Sequence, residues 1–394
     1  MNKNIKLAVA GAVLALSATA ANAGIIIPAG EWTVDINGNV NAFAITNNMK
    51  GDNNITGGMA TRPDANQRSD TQGINTGLLP AWLGVTGTTR QNDVDTSFTI
   101  SMQPGVSQNG AAGSTLAPEF RQANFTFGDK SWGSFKLGKD LGIFASDAIL
   151  NDMTLLGVGA MSPGGVHTGS GTTTTYGGIG SGYIYAAWKG QVAYTTPNFN
   201  GFQATVGIVN PNQATSNELY QERFGLEGKA SYTIAGDGVN GKIWVSGGSY
   251  KMTYASTPEF TASVGDVGAN LNAGGFGITA YYYKGEGVGT TTIGGNNHNS
   301  GAKRDSDGGY LQGTYTLPTK TKIGLAVATS KLDRAAGEGT GLLVKENKRY
   351  TAGAYHPLTK HLNLVAEYSR VESEAHNNLS NENNVASLGG ILFF

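Results

Sequence analysis

From Trp32 to Ala44 the chain alternates between two kinds of side chain. Trp32, Val34, Ile36, Val40, Ala42 and Ala44 take one parity, and Asp35, Asn37, Asn39 and Asn41 take the other, with Gly38 between them. A strand built this way offers one face to hydrocarbon and the other to water. The same two-faced pattern recurs along the rest of the chain in segments of about ten residues divided by turn-forming residues. In a soluble sheet the apolar face needs a second layer to cover it, and neither amphipathic helices nor contiguous apolar runs stand out to supply one. Closing the sheet on itself turns the apolar parity toward lipid, pairs every backbone group and leaves no edge. The chain therefore reads as all-β, an antiparallel transmembrane β-barrel.

Composition agrees with a barrel and sets the compartment. Glycine is abundant, at 59 residues, and charged side chains make up 14%. Lys3 and Lys6 precede the apolar run Leu7 to Leu16, and Ala21-Asn22-Ala23 offers small residues before Gly24. That is the layout of an export signal, too short for a membrane helix, which places the expected cut after residue 23 and the barrel domain at 24–394. Of 27 basic side chains the leader carries two, Lys3 and Lys6, and none of the 28 acidic ones, so the mature chain is slightly acidic. Such a balance gives no reason to expect nucleic acid as a partner. With no cysteine, no disulfide framework holds this exported fold.

The alternation predicts 16 strands, an even number, with short and long connections in turn. They lie near residues 32–46, 75–88, 92–103, 119–128, 132–139, 185–194, 202–208, 220–235, 242–254, 260–272, 276–286, 308–318, 322–333, 347–357, 361–373 and 384–394. One connection stands apart, the insertion Asp140 to Tyr183. Loops this long inside a sheet domain are uncommon and tend to carry function. Within it, Ser146 to Met153 reads as a capped helical turn bearing Asp147 and Asp152, followed by glycines and the threonine run Thr172 to Thr175. We expect this segment to fold inward and narrow a pore.

Strand parity nominates the basic side chains that face the interior. With Phe135 and Leu137 outward, Lys136 points in, and with Val192 and Tyr194 outward, so does Lys189. On the eighth strand Phe224, Leu226, Ala230 and Tyr232 take the outward parity, leaving Arg223, Glu227, Lys229 and Ser231 inward. Arg121 is one step out of phase with Gln122, Asn124 and Thr126 and reaches the interior only through a bulge. Trp132, Trp188, Tyr194 and the run Tyr281-Tyr282-Tyr283 read as aromatic girdle anchors, with Tyr281 and Tyr283 on one face as a stacking platform if that face is inward. The histidines His167, His298, His356, His361 and His376 sit in loops or turns without metal-ligand spacing, and no serine, histidine and acid grouping emerges. Neither a catalytic site nor a cofactor is expected.

Several motifs together resemble the trimeric general porins of Gram-negative outer membranes. They are Leu137-Gly138-Lys139-Asp140 before the insertion, Val192 to Phe202 after it, Tyr315-Thr316-Leu317-Pro318-Thr319-Lys320-Thr321, Tyr355-His356-Pro357-Leu358-Thr359-Lys360 and the terminal Phe394, in order over essentially the whole mature chain. The resemblance implies a 16-stranded barrel, a homotrimer in outer-membrane lipid, and a third external loop folded into the lumen as a constriction. It implies an acid on that loop opposed by a ladder of basic side chains on the wall. Asp152-Met153 matches the family's Asp-Met pair, but Thr154-Leu155-Leu156-Gly157 stands where a second acid is expected, leaving Asp147 to compensate. It further implies that Phe394 is read by the barrel-assembly machinery. The function implied is passive diffusion of small hydrophilic solutes and ions, with Asp152→Asn shifting selectivity toward anions. The alternatives are a substrate-selective porin, an outer-membrane hydrolase or a surface adhesin.

Overall fold

The structure is a computed structural model, and it describes residues 24–64, 66–105, 119–161, 174–211, 222–254, 257–296 and 301–394. The leader, His167, His298 and part of the threonine run lie outside the described residues.

Among the described residues eighteen strands form one antiparallel sheet. They are β1 Ile25–Ala29, β2 Trp32–Lys50, β3 Asp70–Asn75, β4 Trp82–Gln91, β5 Val94–Gln103, β6 Glu119–Asp129, β7 Gly133–Leu141, β8 Trp188–Thr195, β9 Phe202–Val209 and β10 Gly225–Gly236. Then follow β11 Val239–Tyr254, β12 Thr257–Ala273, β13 Phe276–Glu286, β14 Asp305–Thr316, β15 Lys322–Leu332, β16 Val344–Pro357, β17 Leu362–Ala375 and β18 Ser380–Phe393. Each strand from β4 onward pairs with its successor, and β18 returns to β2 in the register Val385↔Asn47 to Phe393↔Asn39. β3 and β4 lie one after the other along β2 and fill a single position in the wall. Among the described residues β1 pairs with the start of β2. The wall is thus a closed 16-stranded antiparallel barrel.

Parity divides inside from outside as the alternation predicts. On β2, Val40, Ala42 and Ala44 are exposed while Asn39, Asn41, Phe43, Ile45 and Asn47 are buried. On β13, Phe276, Ile278 and Tyr282 are exposed while Thr279, Tyr281 and Tyr283 are buried. Apolar side chains exposed on every strand are stable only where hydrocarbon replaces water. Where strand ends meet, Phe127 stacks on Phe135 at 5.6 Å, and Phe135 meets Tyr194 at 5.1 Å beside Trp132. That cluster has the form of an interfacial belt.

Two departures from the expected strands have local causes. The second strand was expected to run unbroken over 75–88, but the chain leaves the wall between β3 and β4. Asn41 drives the break, its amide nitrogen donating to Leu79 O at 2.9 Å and its oxygen accepting Gly77 N at 2.9 Å, while Asn39 donates to Pro80 O. Polar inward residues of β2 thus hold the backbone of 77–80 on the buried side. The eighth strand was expected from residue 220 but begins at Gly225, which leaves Arg223 exposed ahead of it.

Candidate functional site

The inserted segment joins β7 to β8 and carries a helix, α1 (Ser146–Asn151), followed by a 3-10 turn, Met153–Leu156. Ala145 enters α1 with a left-handed φ of 59°, and Asp152 separates the two turns in an extended conformation, its Oδ1 accepting Thr154 N at 2.9 Å. A segment shielded from bulk water must find protein partners for its amides and carbonyls. Here the partners are side chains on the buried parity of strands around the barrel. Ser246 on β11 accepts Ala145 N, Tyr310 on β14 donates to Ala148 O, Gln312 on β14 accepts Met153 N and donates to Asn151 O, and Ser330 on β15 accepts Gly182 N.

Two glutamates do this work twice over. Glu227 Oε2 on β10 accepts both Ile143 N at 2.7 Å and Phe144 N at 3.0 Å, while its Oε1 takes Lys189 Nζ at 2.6 Å and Tyr250 OH at 2.7 Å. Glu367 Oε2 on β17 accepts Val158 N at 2.8 Å and Gly159 N at 2.9 Å, while its Oε1 takes Tyr355 OH at 2.5 Å. In both, one carboxylate oxygen holds two consecutive backbone amides and the other accepts a tyrosine hydroxyl. Hydrogen bonds to a charged acceptor each contribute about 1.5–3 kcal/mol net. The excursion between β3 and β4 adds backbone bonds from Leu78 N to Gly157 O and from Thr175 N to Gly77 O. A β-carbon at Gly77 would overlap Gly157 O and the Phe43 ring, so only glycine permits this approach.

Asp147 and Asp152, the two acids nominated from the sequence, pair with basic side chains of the wall. Asp147 is bound by Lys229, at 3.0 Å, and by Lys242. Burial alone would raise its pKa, but these two ammonium groups outweigh that and hold the carboxyl below the ordinary aspartate range. Asp152, sealed between the segment and the wall, accepts Tyr183 OH at 2.9 Å and meets Arg349 of β16 at 3.5 Å. Burial, and then the Asp152 charge, raise the Tyr183 hydroxyl well above its usual pKa, so it remains a donor. Asp152 has no exposed side-chain surface. Among the described residues it is the carboxylate that pairs with Arg349, a fully buried cation that needs a counter-ion.

The basic candidates divide. Lys136 lies on the inward parity of β7, its Nζ 2.5 Å from Asp140 Oδ2, and Asp140 also accepts from Gln122. Arg121 reaches the interior through the bulge that its phase requires. Pairing runs Ser101↔Gln122 and then Met102↔Phe120, leaving Arg121 as the extra residue, with its N donating to Gln103 and its Nε to Glu119 at 2.7 Å. Lys189 is buried in its ion pair with Glu227 and sits 5.6 Å from the Tyr250 ring, so it fixes the segment rather than lining an open path. Arg223 is not part of the wall. Tyr281 and Tyr283, expected as girdle or platform residues, are packed beneath the segment, where Tyr281 stacks on Tyr310 at 5.5 Å.

Lys242, Glu227, Glu367 and Arg349 were not singled out as site residues from sequence. The signal was present, since Lys242 shares parity with Ser246, and Arg349 alternates with the exposed Tyr350. The result is a charge asymmetry. Side-chain exposures are 7%, 5% and 0% for Asp140, Asp147 and Asp152, against 25%, 24% and 32% for Lys136, Lys229 and Lys242. Leu150, Asn151, Leu156 and Tyr176 of the segment are partly exposed, and none of them is acidic.

Among the described residues no group of histidine, cysteine and acidic side chains is placed to hold a metal ion. His356 contacts Thr321 at 2.9 Å at a short turn, and His376 contacts Leu332 O.

Comparison with known proteins fits this architecture. No curated protein sequence matches the chain. The outer membrane channel DcaP of Acinetobacter baumannii is similar with a TM-score of 0.68 at 16% identity, over 94% of this chain and 100% of that one. The anion-selective porin from Comamonas acidovorans gives 0.62 at 13%, over 92% and 100%. The outer membrane protein OmpT of Vibrio cholerae, in its trimer form, gives 0.56 at 13%, over 92% and 99%. At these identities the likeness establishes the fold. The family model described as Gram-negative porin matches residues 8–376, and the chain accordingly belongs to the Gram-negative porins, as an integral outer-membrane channel for passive diffusion.

Proposed function

We propose that the inserted segment 140–183 forms the constriction of this channel, and that the constriction favours anions. The observation that carries the reading is the exposure asymmetry, in which the segment's carboxylates are spent on buried contacts while Lys136, Lys229 and Lys242 keep part of their surface free. An ion passing roughly 5 Å from one such ammonium in water-like dielectric gains or loses about 0.8 kcal/mol, which is about fourfold in partition for each sign. Small hydrophilic anions therefore pass with preference, and no chemical step or cofactor takes part. The Comamonas relative, described as anion-selective, supports the reading. By the same proposal the protein works as a homotrimer, in line with the trimer form of the Vibrio relative, and enters the membrane through the barrel-assembly machinery by way of Phe394. Reversal potentials of purified protein in a salt gradient test the selectivity. Wild type is expected on the anion side, and Lys242→Gln nearer zero. A cation-side potential for wild type overturns the proposal.

A second reading, a solute-selective porin for small anionic solutes, draws on the same lysines. Saturation of single-channel current by a candidate anion separates it from plain sieving.

A further inference from the structure

β1 and β18 lie end to end along the same edge of β2. Phe394 and Gly38 exchange two backbone hydrogen bonds, of 2.8 and 3.0 Å, and pairing resumes with Ile25↔Ile36 and Ile26↔Asp35. Only Asn37 separates the two pairings, so the junction opposite it is where Gly24 falls. Gly24 shares parity with Ile26, which puts it on the face that carries Asp35. A β-carbon built on Gly24 has the Asp35 carboxylate as its three nearest neighbours, Oδ1, Cγ and Oδ2. Asp35 Oδ1 is buried and has no hydrogen-bond partner among the described residues, and no basic side chain there pairs with it. A buried carboxylate oxygen left without a donor is costly. The cation that would relieve it does not exist in the uncleaved chain, because the Gly24 nitrogen is then a neutral amide.

We propose that leader removal after Ala23 creates that cation, and that the α-ammonium of Gly24 is the counter-ion of Asp35. The proposal rests on the cleavage site read from the sequence and is independent of channel selectivity. In the hydrolysis, which a signal peptidase carries out, water adds across the Ala23–Gly24 amide. Its oxygen goes to the Ala23 carbonyl carbon, the C–N bond breaks, and the Gly24 nitrogen leaves as an amine that is protonated at neutral pH, while the new Ala23 acid ionises. The charge so formed fastens β1 under the seam where β18 meets β2. Phe394, whose backbone exchanges hydrogen bonds with Gly38, lies at the same junction. Glu31, also at this end, is engaged with Gln91.

The test is the titration of the α-amine in the folded mature protein, read by competitive acylation at a series of pH values after the N-terminus has been sequenced. An unperturbed α-amine titrates near ~8. Pairing with Asp35 is expected to raise it by about one unit in wild type, with Asp35→Asn removing most of the rise. Should Asp35→Asn fail to fold, refolding the Gly24-start chain with a free or an acetylated N-terminus supplies the second arm, and acetylation is expected to lower the heat-denaturation midpoint of the barrel. An ordinary wild-type value, a rise that survives Asp35→Asn, a mature chain that begins elsewhere, or an acetylated chain as heat-stable as the free one would each overturn the proposal. Unchanged conductance in Asp35→Asn would leave the channel reading standing in every case.

Discussion

Glu367→Leu should release the middle of the inserted segment while leaving the barrel closed. The glutamate accepts three hydrogen bonds, from Val158 N, Gly159 N and Tyr355 OH, in a region without exposed side-chain surface. Leucine keeps much of the volume but strands three donors, and leaving a buried donor unpaired costs about 1–3 kcal/mol each. Relaxation of the segment toward water recovers part of this, so a net local loss of about 3 kcal/mol is expected, which corresponds to roughly a 150-fold rise in the opening equilibrium at amides 158 and 159. Glu367→Gln retains one acceptor and should fall between the two. Hydrogen exchange in detergent reads the amides directly, and open-channel current noise reads the same loosening in a bilayer. Strand amides of β16 and β17 serve as the internal control, because the thirteen-pair register between them does not involve this side chain. Unchanged protection at 158 and 159 with the substitution in place would refute the idea that this carboxylate holds the segment.

Other expectations follow from the same contacts. Asp152→Asn should leave the reversal potential nearly unchanged, because the carboxylate is sealed from water, yet lower the thermal midpoint, since removing the partner of a buried cation costs about 3–5 kcal/mol. The contribution of Asp147, whose folded pKa is depressed, is present above the unfolded aspartate value of ~3.9 and lost as pH falls through the lower folded one. Protection factors at the α1 amides, corrected for the intrinsic pH dependence of exchange, should therefore stay flat from neutral pH to about 4 and fall only below. Gly77→Val should force 77–80 away from Gly157 and Phe43, loosening the segment near Val158 as read by hydrogen exchange without changing the β content seen by circular dichroism.

Much of the wall was legible from parity alone, because a barrel asks of each residue only which face it takes. The out-of-phase Arg121 announced its own bulge for that reason. The break between β3 and β4 was not legible, since Asn39 and Asn41 look like ordinary wetted residues until their amides are seen holding 77–80. β1 escaped notice because Ile25, Ile26 and Ile27 follow the leader with no alternation. The site was harder still. Asp147 and Asp152 were found as residues, but their direction depends on which cations lie behind the segment, and Lys242 and Arg349 are 95 and 197 residues away in sequence. Glu227 and Glu367 have the parity of wetted residues, and nothing local distinguishes a carboxylate in water from one gripping two backbone amides.

The chain contains no cysteine, so single thiols can be placed on either side of the segment and probed from the aqueous path with a charged methanethiosulfonate reagent while current is recorded. Lys242→Cys, Lys229→Cys and Lys136→Cys are expected to react and reduce the current, and Asp152→Cys is expected to stay unmodified. Rapid modification at 152 with silence at the three lysine positions would mean that the open path runs on the other side of the segment.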